Sequence, residues 1–187
     1  GRSTRMGPEN KLLKAIDGKA MVRRSVESLI ASGVGSITVV TGHERGKVEA
    51  ALEGLPVGFA HNPDYRDGLS TSLKAGIATL GDGVNAALIA LGDMPFVEPA
   101  LIGKLVSAFD PEEGRSICVP IFEGKRGNPV LWGSDYFQAL ARLQGDTGAK
   151  HLLAEFSEAV CEVESSERSV LVDFDTPEAF AGLKAVG

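Results

Sequence analysis

Two cysteines and three histidines in 187 residues leave this chain little with which to build a redox framework or a zinc site. Cys118 and Cys161 stand far apart along the chain, each in an apolar, strand-like stretch. They give neither a disulfide scaffold nor metal-ligand spacing, and buried reduced thiols are expected, which fits a cytoplasmic protein. His43, His61 and His151 have no ligand spacing and no candidate nucleophile nearby, so all three read as ordinary surface or core residues. A basic excess is missing too. Nineteen Lys and Arg against 25 Asp and Glu give a net charge of −6, which argues against a nucleic-acid-binding surface. A single nucleotide is still admissible, because it needs only a local positive patch. No apolar run approaches the ~20 residues of a bilayer-crossing helix. Repeats, linkers and low-complexity tracts are likewise absent.

What is present is an alternation of helix and strand patterns. With 43% hydrophobic and 24% charged residues, the chain has the composition of one globular domain long enough for a real core. Helical spacing marks 21–32, which stops at Gly33 as a helix should, and further helices are expected over 44–52, 70–80 (capped by Ser70) and 99–109. Short β-branched or apolar runs predict strands at 36–42, 57–61, 86–91, 116–122 and 128–132. The run 86–91 is the most continuous of these and reads as a central strand buried on both faces. Helices at 135–143 and 149–156, short strands at 160–163 and 170–172, and a closing helix at 177–185 complete the series. Such an order implies an α/β protein with a mostly parallel sheet, helices on both faces and a ligand beyond the strands' carboxyl ends.

The polar segments would gather at that edge. The chain opens Gly1-Arg2-Ser3-Thr4-Arg5-Met6-Gly7-Pro8-Glu9-Asn10-Lys11, where glycines free backbone N–H groups and the cations supply positive charge. That combination suits a triphosphate, and equally a disordered polar terminus. Phosphate loops in α/β proteins normally follow a strand, so the expectation is that the first strand precedes Gly1 and the chain is the N-terminally incomplete part of a longer protein. Leu91-Gly92-Asp93-Met94-Pro95 places an acid in a tight turn after the central run, either to hold Mg²⁺ beside phosphates or simply to cap the turn. Asp173 and Asp175 form a second acidic pair, with Asp175 or Thr176 equally able to cap a helix starting at Pro177. Residues 62–73 carry an asparagine and three hydroxyls to a helix N-terminus, fit for a base edge or ribose. Residues 125–130 pair two cations with a glycine and an amide, as an anion site or an ordinary hairpin tip, and 145–150 is similar in kind.

Taken in order, these segments read Gly-x-Ser-x-Arg-Met-Gly-x-x-Asn-Lys-Leu-Leu, Asn-Pro-x-Tyr-x-x-Gly-x-x-x-Ser-Leu, Gly-Asp-Met-Pro, Arg-Gly-Asn-Pro-Val, Gly-Asp-x-Gly-Ala and Asp-x-Asp-Thr-Pro-Glu. The succession resembles the MobA-like NTP-transferase family, and within it the molybdenum cofactor cytidylyltransferases, over essentially the whole chain. The resemblance implies a Rossmann-like three-layer αβα sandwich, the nucleotidyltransferase fold, as a single domain over 1–187. It implies transfer of CMP from CTP to the phosphate of molybdopterin with release of pyrophosphate, Mg²⁺ as cofactor, and a molybdoenzyme as eventual acceptor. By the same resemblance Gly1, Arg2, Ser3 and Arg5 wrap the triphosphate and Lys11 neutralises it. Gly68 and Ser72 contact base and ribose, Asp93 binds Mg²⁺ with Asp175 as second ligand, and Arg126, Asn128 and Asp146 face the pterin. Arg5, Lys11 and Asp93 form the catalytic set. The family's lead-in before the loop survives here only as Gly1, which leaves the choice of base open.

The residue types agree with that chemistry. Phosphoryl-type transfer needs positioning and charge neutralisation rather than a protein nucleophile, and an attacking phosphate oxygen is already anionic. Alternatives are a GTP-using enzyme, transfer to a sugar or alcohol phosphate, or, from another class, a non-catalytic module that holds and delivers the cofactor.

Overall fold

Several apolar runs close on a residue with positive φ, among them Gly33 and Glu123-Gly124. The computed structural model describes residues 10–145 and 148–171. After a 3-10 turn at Lys11–Leu13, strands β1 (Ala15–Ile16) and β2 (Lys19–Ala20) make a small hairpin. Asp17 and Gly18 both take positive φ at its tip, the conformation a two-residue hairpin loop requires. Helix α1 (Met21–Ala31) buries Met21, Val22, Ser25 and Val26 along one stripe and ends before Gly33 at φ +74°. Strand β3 (Thr38–Thr41), helix α2 (Arg45–Ala51), strand β4 (Gly58–His61), helix α3 (Leu69–Ile77) and strand β5 (Ala86–Ile89) follow. Helix α4 (Pro99–Ala108) begins with proline at its first position, where no N–H is needed. Strands β6 (Ile117–Phe122), β7 (Lys125–Arg126) and β8 (Val130–Gly133), helices α5 (Phe137–Arg142) and α6 (Leu152–Glu155), and strand β9 (Val160–Glu164) complete the set.

Strands β3 and β4 pair in parallel. The larger sheet runs β5-β8-β6-β7, with β9 beside β6. Strand β8 is antiparallel to both β5 and β6, whereas β9 is parallel to β6. So β5, β6 and β9 share one direction with β8 inserted against them, and the sheet is mixed within an α/β fold. Strand β6 is the hub: β8 and β7 pair successively along one edge and β9 runs along the other.

Alternation along β6 and β8 divides the core. Ile117, Val119, Val130 and Trp132 face a cluster with Leu140, Leu143, Leu152 and Leu153, onto which Leu73 and Ile77 of α3 also pack. Cys118 and Leu131 face the other way, against Leu105 of α4. Every residue of β8 and the first four of β6 are buried. Among the described residues no helix is long and apolar enough to cross a membrane.

Several expectations need correction. The run expected as a fully buried central strand is half-buried at all four residues of β5, because among the described residues β5 pairs on one edge only, with β8. Helix α3 is capped at Gly68 (φ +113°) rather than by Ser70, which lies inside its first turn. Residues 168–171 form a 3-10 turn, not a strand. Cys161 is only half-buried. The hairpin β1–β2 was not anticipated, and the closing helix at 177–185 lies outside the described residues.

Candidate active site

The carboxyl end of β5 runs into Gly92-Asp93, and α1 fixes that turn from below. Ser25, 5% exposed, donates its hydroxyl to the Gly92 carbonyl at 3.0 Å. A Cβ on Gly92 would stand 3.4 Å from Leu12 Cδ2, so the 3-10 turn 11–13 packs directly on this backbone. Asn10 opens that turn by accepting the Leu12 N–H at 3.1 Å. Lys11 is thereby carried to Asp93, its Nζ 2.5 Å from Oδ2, with each side chain only 14% exposed. Two expected catalytic groups from distant parts of the sequence thus form one shielded ion pair. At so little exposure, truncating one partner leaves the other charge uncompensated.

A second cluster lies at the start of α3, beyond the carboxyl end of β4. Asn62, 3% exposed, donates its Nδ2 to Thr71 Oγ1 at 2.8 Å and to Ser72 Oγ at 3.0 Å. Its Oδ1 accepts the Asp64 N–H at 3.0 Å, and its own N–H donates to the Thr41 carbonyl at 2.8 Å. The amide expected as a ligand group is therefore used internally, fixing Ser72 and the Gly68 turn. The Ser70 N–H reaches the Gly145 carbonyl at 3.2 Å, which brings Gly145 to the same helix start. Gly42, after β3, is held against Tyr65: a Cβ there would come within 2.6 Å of Tyr65 Cβ.

The third cluster precedes β8. Val130 pairs with Ile89, so Asn128 stands at the same end of the sheet as Asp93. Gly127 leaves no room for a side chain, since a Cβ would collide with the Val170 carbonyl oxygen, and the Asn128 N–H donates to that same oxygen at 2.9 Å. Arg126 is bonded through Nε to Glu162 of β9 at 2.7 Å, which anchors its guanidinium on the sheet surface. Sequence reasoning did not single out Ser25 or Glu162. A serine on the apolar face of α1 was the only available hint for the first, and the cross-strand partner of Arg126 had none.

The structure brings Lys11 to Asp93 and Gly68 to Ser72, and puts Arg126 and Asn128 on the 126–128 segment. Gly1, Arg2, Ser3, Arg5, Asp146 and Asp175 lie outside the described residues. Among the described residues no three His, Cys, Asp or Glu side chains stand together as a metal cluster. A shielded cation beside a shielded carboxylate, in the turn that follows β5, can exchange its internal partner for an anionic ligand and a hard cation.

Known proteins resemble this chain in sequence and in fold. The pattern of the MobA-like NTP transferase domain matches residues 1–160. The chain is 26% identical over 183 residues to a nicotine blue oxidoreductase of Paenarthrobacter nicotinovorans, covering 95% of this chain and 89% of the relative. It is 25% identical over 185 residues to the molybdenum cofactor cytidylyltransferase of Escherichia coli (strain K12), covering 98% and 91%. Among solved structures, a nucleotidyl transferase from Methanothermobacter thermautotroptrophicus superposes with a TM-score of 0.85 at 26% identity, covering 99% of this chain and 92% of that one.

Proposed function

The chain belongs to the MobA-like NTP transferase family and is a nucleotidyltransferase; we propose that it transfers CMP from CTP to the phosphate of molybdopterin, releasing pyrophosphate. The observation that carries this reading is the Lys11–Asp93 pair at the carboxyl end of β5. A pure carrier of the cofactor has no use for a triphosphate cation held against a carboxylate. The choice of CTP rests on similarity to the cytidylyltransferase relative along nearly the whole chain.

In this reading the triphosphate draws the Lys11 ammonium off Asp93, and Gly1, Arg2, Ser3 and Arg5 wrap the β- and γ-phosphates. Gly68 and Ser72 contact base and ribose, Ser72 being pre-set by Asn62. Arg126, Asn128 and Asp146 orient the pterin so that its phosphate oxygen lies in line with the α-phosphorus. That oxygen forms a new P–O bond while the bond to the departing pyrophosphate breaks, and Lys11 offsets the charge that develops. The shielded Asp93 carboxylate fits a divalent cation, since Mg²⁺ is commonly held by one or two carboxylates plus substrate phosphates; Asp93 would hold it, with Asp175 proposed as the second ligand. When bound, that cation supplies charge neutralisation between the nucleotide phosphates.

Pyrophosphate release from CTP, GTP, ATP and UTP, with and without molybdenum-loaded molybdopterin, tests the proposal. Release that requires both CTP and the pterin supports it. A GTP requirement keeps the reaction and changes the product. Release with a sugar phosphate instead of the pterin overturns the acceptor, and turnover of nicotine blue with no pyrophosphate release moves the chain toward its oxidoreductase relative.

A further inference from the structure

The two cysteines take no part in the transfer reading, yet the fold puts them side by side. Strands β6 and β9 run parallel in a register that makes Cys118 and Cys161 direct partners. In-register residues of neighbouring strands project to the same face, and both join the cluster around Leu105 and Leu131. Neighbouring strands lie ~4.8 Å apart, within the ~4.4–6.8 Å between Cα atoms that a disulfide spans. The two thiols also differ in access: Cys118 is fully buried, whereas Cys161 is half-buried and reachable from solvent.

We propose that Cys118 and Cys161 form a reversible dithiol–disulfide pair, closed by exchange with a small-molecule disulfide, that staples β9 to β6. Cys161 loses its proton to solvent, and its sulfur attacks one sulfur of the small disulfide, whose S–S bond breaks to release one small thiolate. Cys118 then loses its proton and its sulfur attacks Cys161 Sγ. The Cys118–Cys161 bond forms, the mixed disulfide breaks, and a second small thiolate leaves. Two protein thiols are oxidised by two electrons and one small disulfide is reduced to two thiols. Burial first, and then the neighbouring Cys161, push the Cys118 thiol up to about 12, so the second step is the slow one and quickens with alkali. The staple bears on the site because Glu162, the next residue of β9, holds Arg126.

The test treats the full chain with oxidised glutathione at mildly alkaline pH, alkylates it under denaturing conditions and measures intact mass and linked peptides. The expected product is monomeric, lighter than the reduced chain by two hydrogen atoms, free of glutathione, and joined between the peptides of Cys118 and Cys161; dithiothreitol restores the starting mass. Closure is expected to quicken as pH rises. Cys118→Ala is expected to stop at a glutathione adduct on Cys161, and Cys161→Ser to form neither adduct nor crosslink. A wild-type chain that retains glutathione on Cys161 with Cys118 still alkylatable overturns the pair. So does one that keeps both thiols, or that links to a second chain.

Discussion

Strands β5 and β6 are both apolar runs in the sequence, and the fold treats them in opposite ways. Strand β6 has partners on both edges and helices on both faces, and its first four residues are buried. Strand β5, the more continuous apolar run, is half-buried throughout, and β3 passes from exposed to buried along its four residues. Helix α3, above them, buries only Ser70. Hydropathy therefore selects which residues can be buried, but the number of neighbours decides which are. The expected catalytic pair hangs from β5, while the packing that holds the molecule together centres on β6 and β8. The Lys11–Asp93 pair thus sits off the best-packed strands of the sheet.

The sharpest way to probe that division is to remove chemistry without touching support. Asp93→Ala is expected to abolish nucleotidyl transfer, a loss of at least about a hundredfold by analogy with removal of single electrostatic groups. Lys11→Ala is expected to raise the nucleotide requirement and slow transfer. The paired variant Lys11→Met with Asp93→Leu should regain the melting temperature that either single change lowers, yet stay inactive. Turnover by Asp93→Ala at saturating Mg²⁺ would remove that residue from the site.

Next in size is a comparison of cores. Trp132→Ala is expected to cost about 3–5 kcal/mol in urea unfolding, as large-to-small changes do at fully buried sites. Leu88→Ala in β5, half-buried, should cost clearly less. Equal losses would mean that β5 is as well supported as β8.

Smaller again is Asn62→Ala. It strips the buried amide that orients Thr71 and Ser72, and is expected to cost about 1–3 kcal/mol. On the proposed function it also raises KM for the nucleotide more than it lowers kcat. An unchanged KM would detach the start of α3 from nucleotide binding.

The smallest effect is in pH dependence. The Lys19 hydrogen bond, chiefly, holds the Glu27 carboxyl below the usual carboxylate range, with Arg23 adding to it. A carboxylate lowered in the folded state contributes stability above its unfolded value and loses it as pH falls through the lowered folded one. Glu27→Gln should therefore lower neutral stability slightly, leave stability below that window almost unchanged, and flatten the pH dependence between the two.

The local features were legible in the sequence. Residues 21–31 spaced their apolar side chains for a helix and Gly33 marked its end, and Pro99 marked the start of α4. The ordered motifs contain Lys11 and Asp93, which the fold brings together, and Gly68 and Ser72, which it sets at one helix start. What escaped was non-local. That Lys11 would meet Asp93 in a contact, that β8 would insert antiparallel between β5 and β6, and that Cys118 would face Cys161 all depend on register between distant segments. Residues 170–172 have a strand's composition, but Val170 is tied to Asn128 through its carbonyl, and the backbone turns instead. The Asp17-Gly18 hairpin did carry a local signal, outweighed by the brevity of its two-residue strands.

The contact between Lys11 and Asp93 has a consequence for ionic strength. A lysine left in water gathers small anions from solution, and a ligand that displaces them gains the entropy of their release. Here the counter-ion of Lys11 is a side chain fixed to the protein. Displacing that side chain with an anionic ligand is an ion exchange carried out within the molecule. At this lysine the salt of the medium has little to compete for, so raising it should weaken the capture of an anionic ligand less than the lysine's charge alone would suggest.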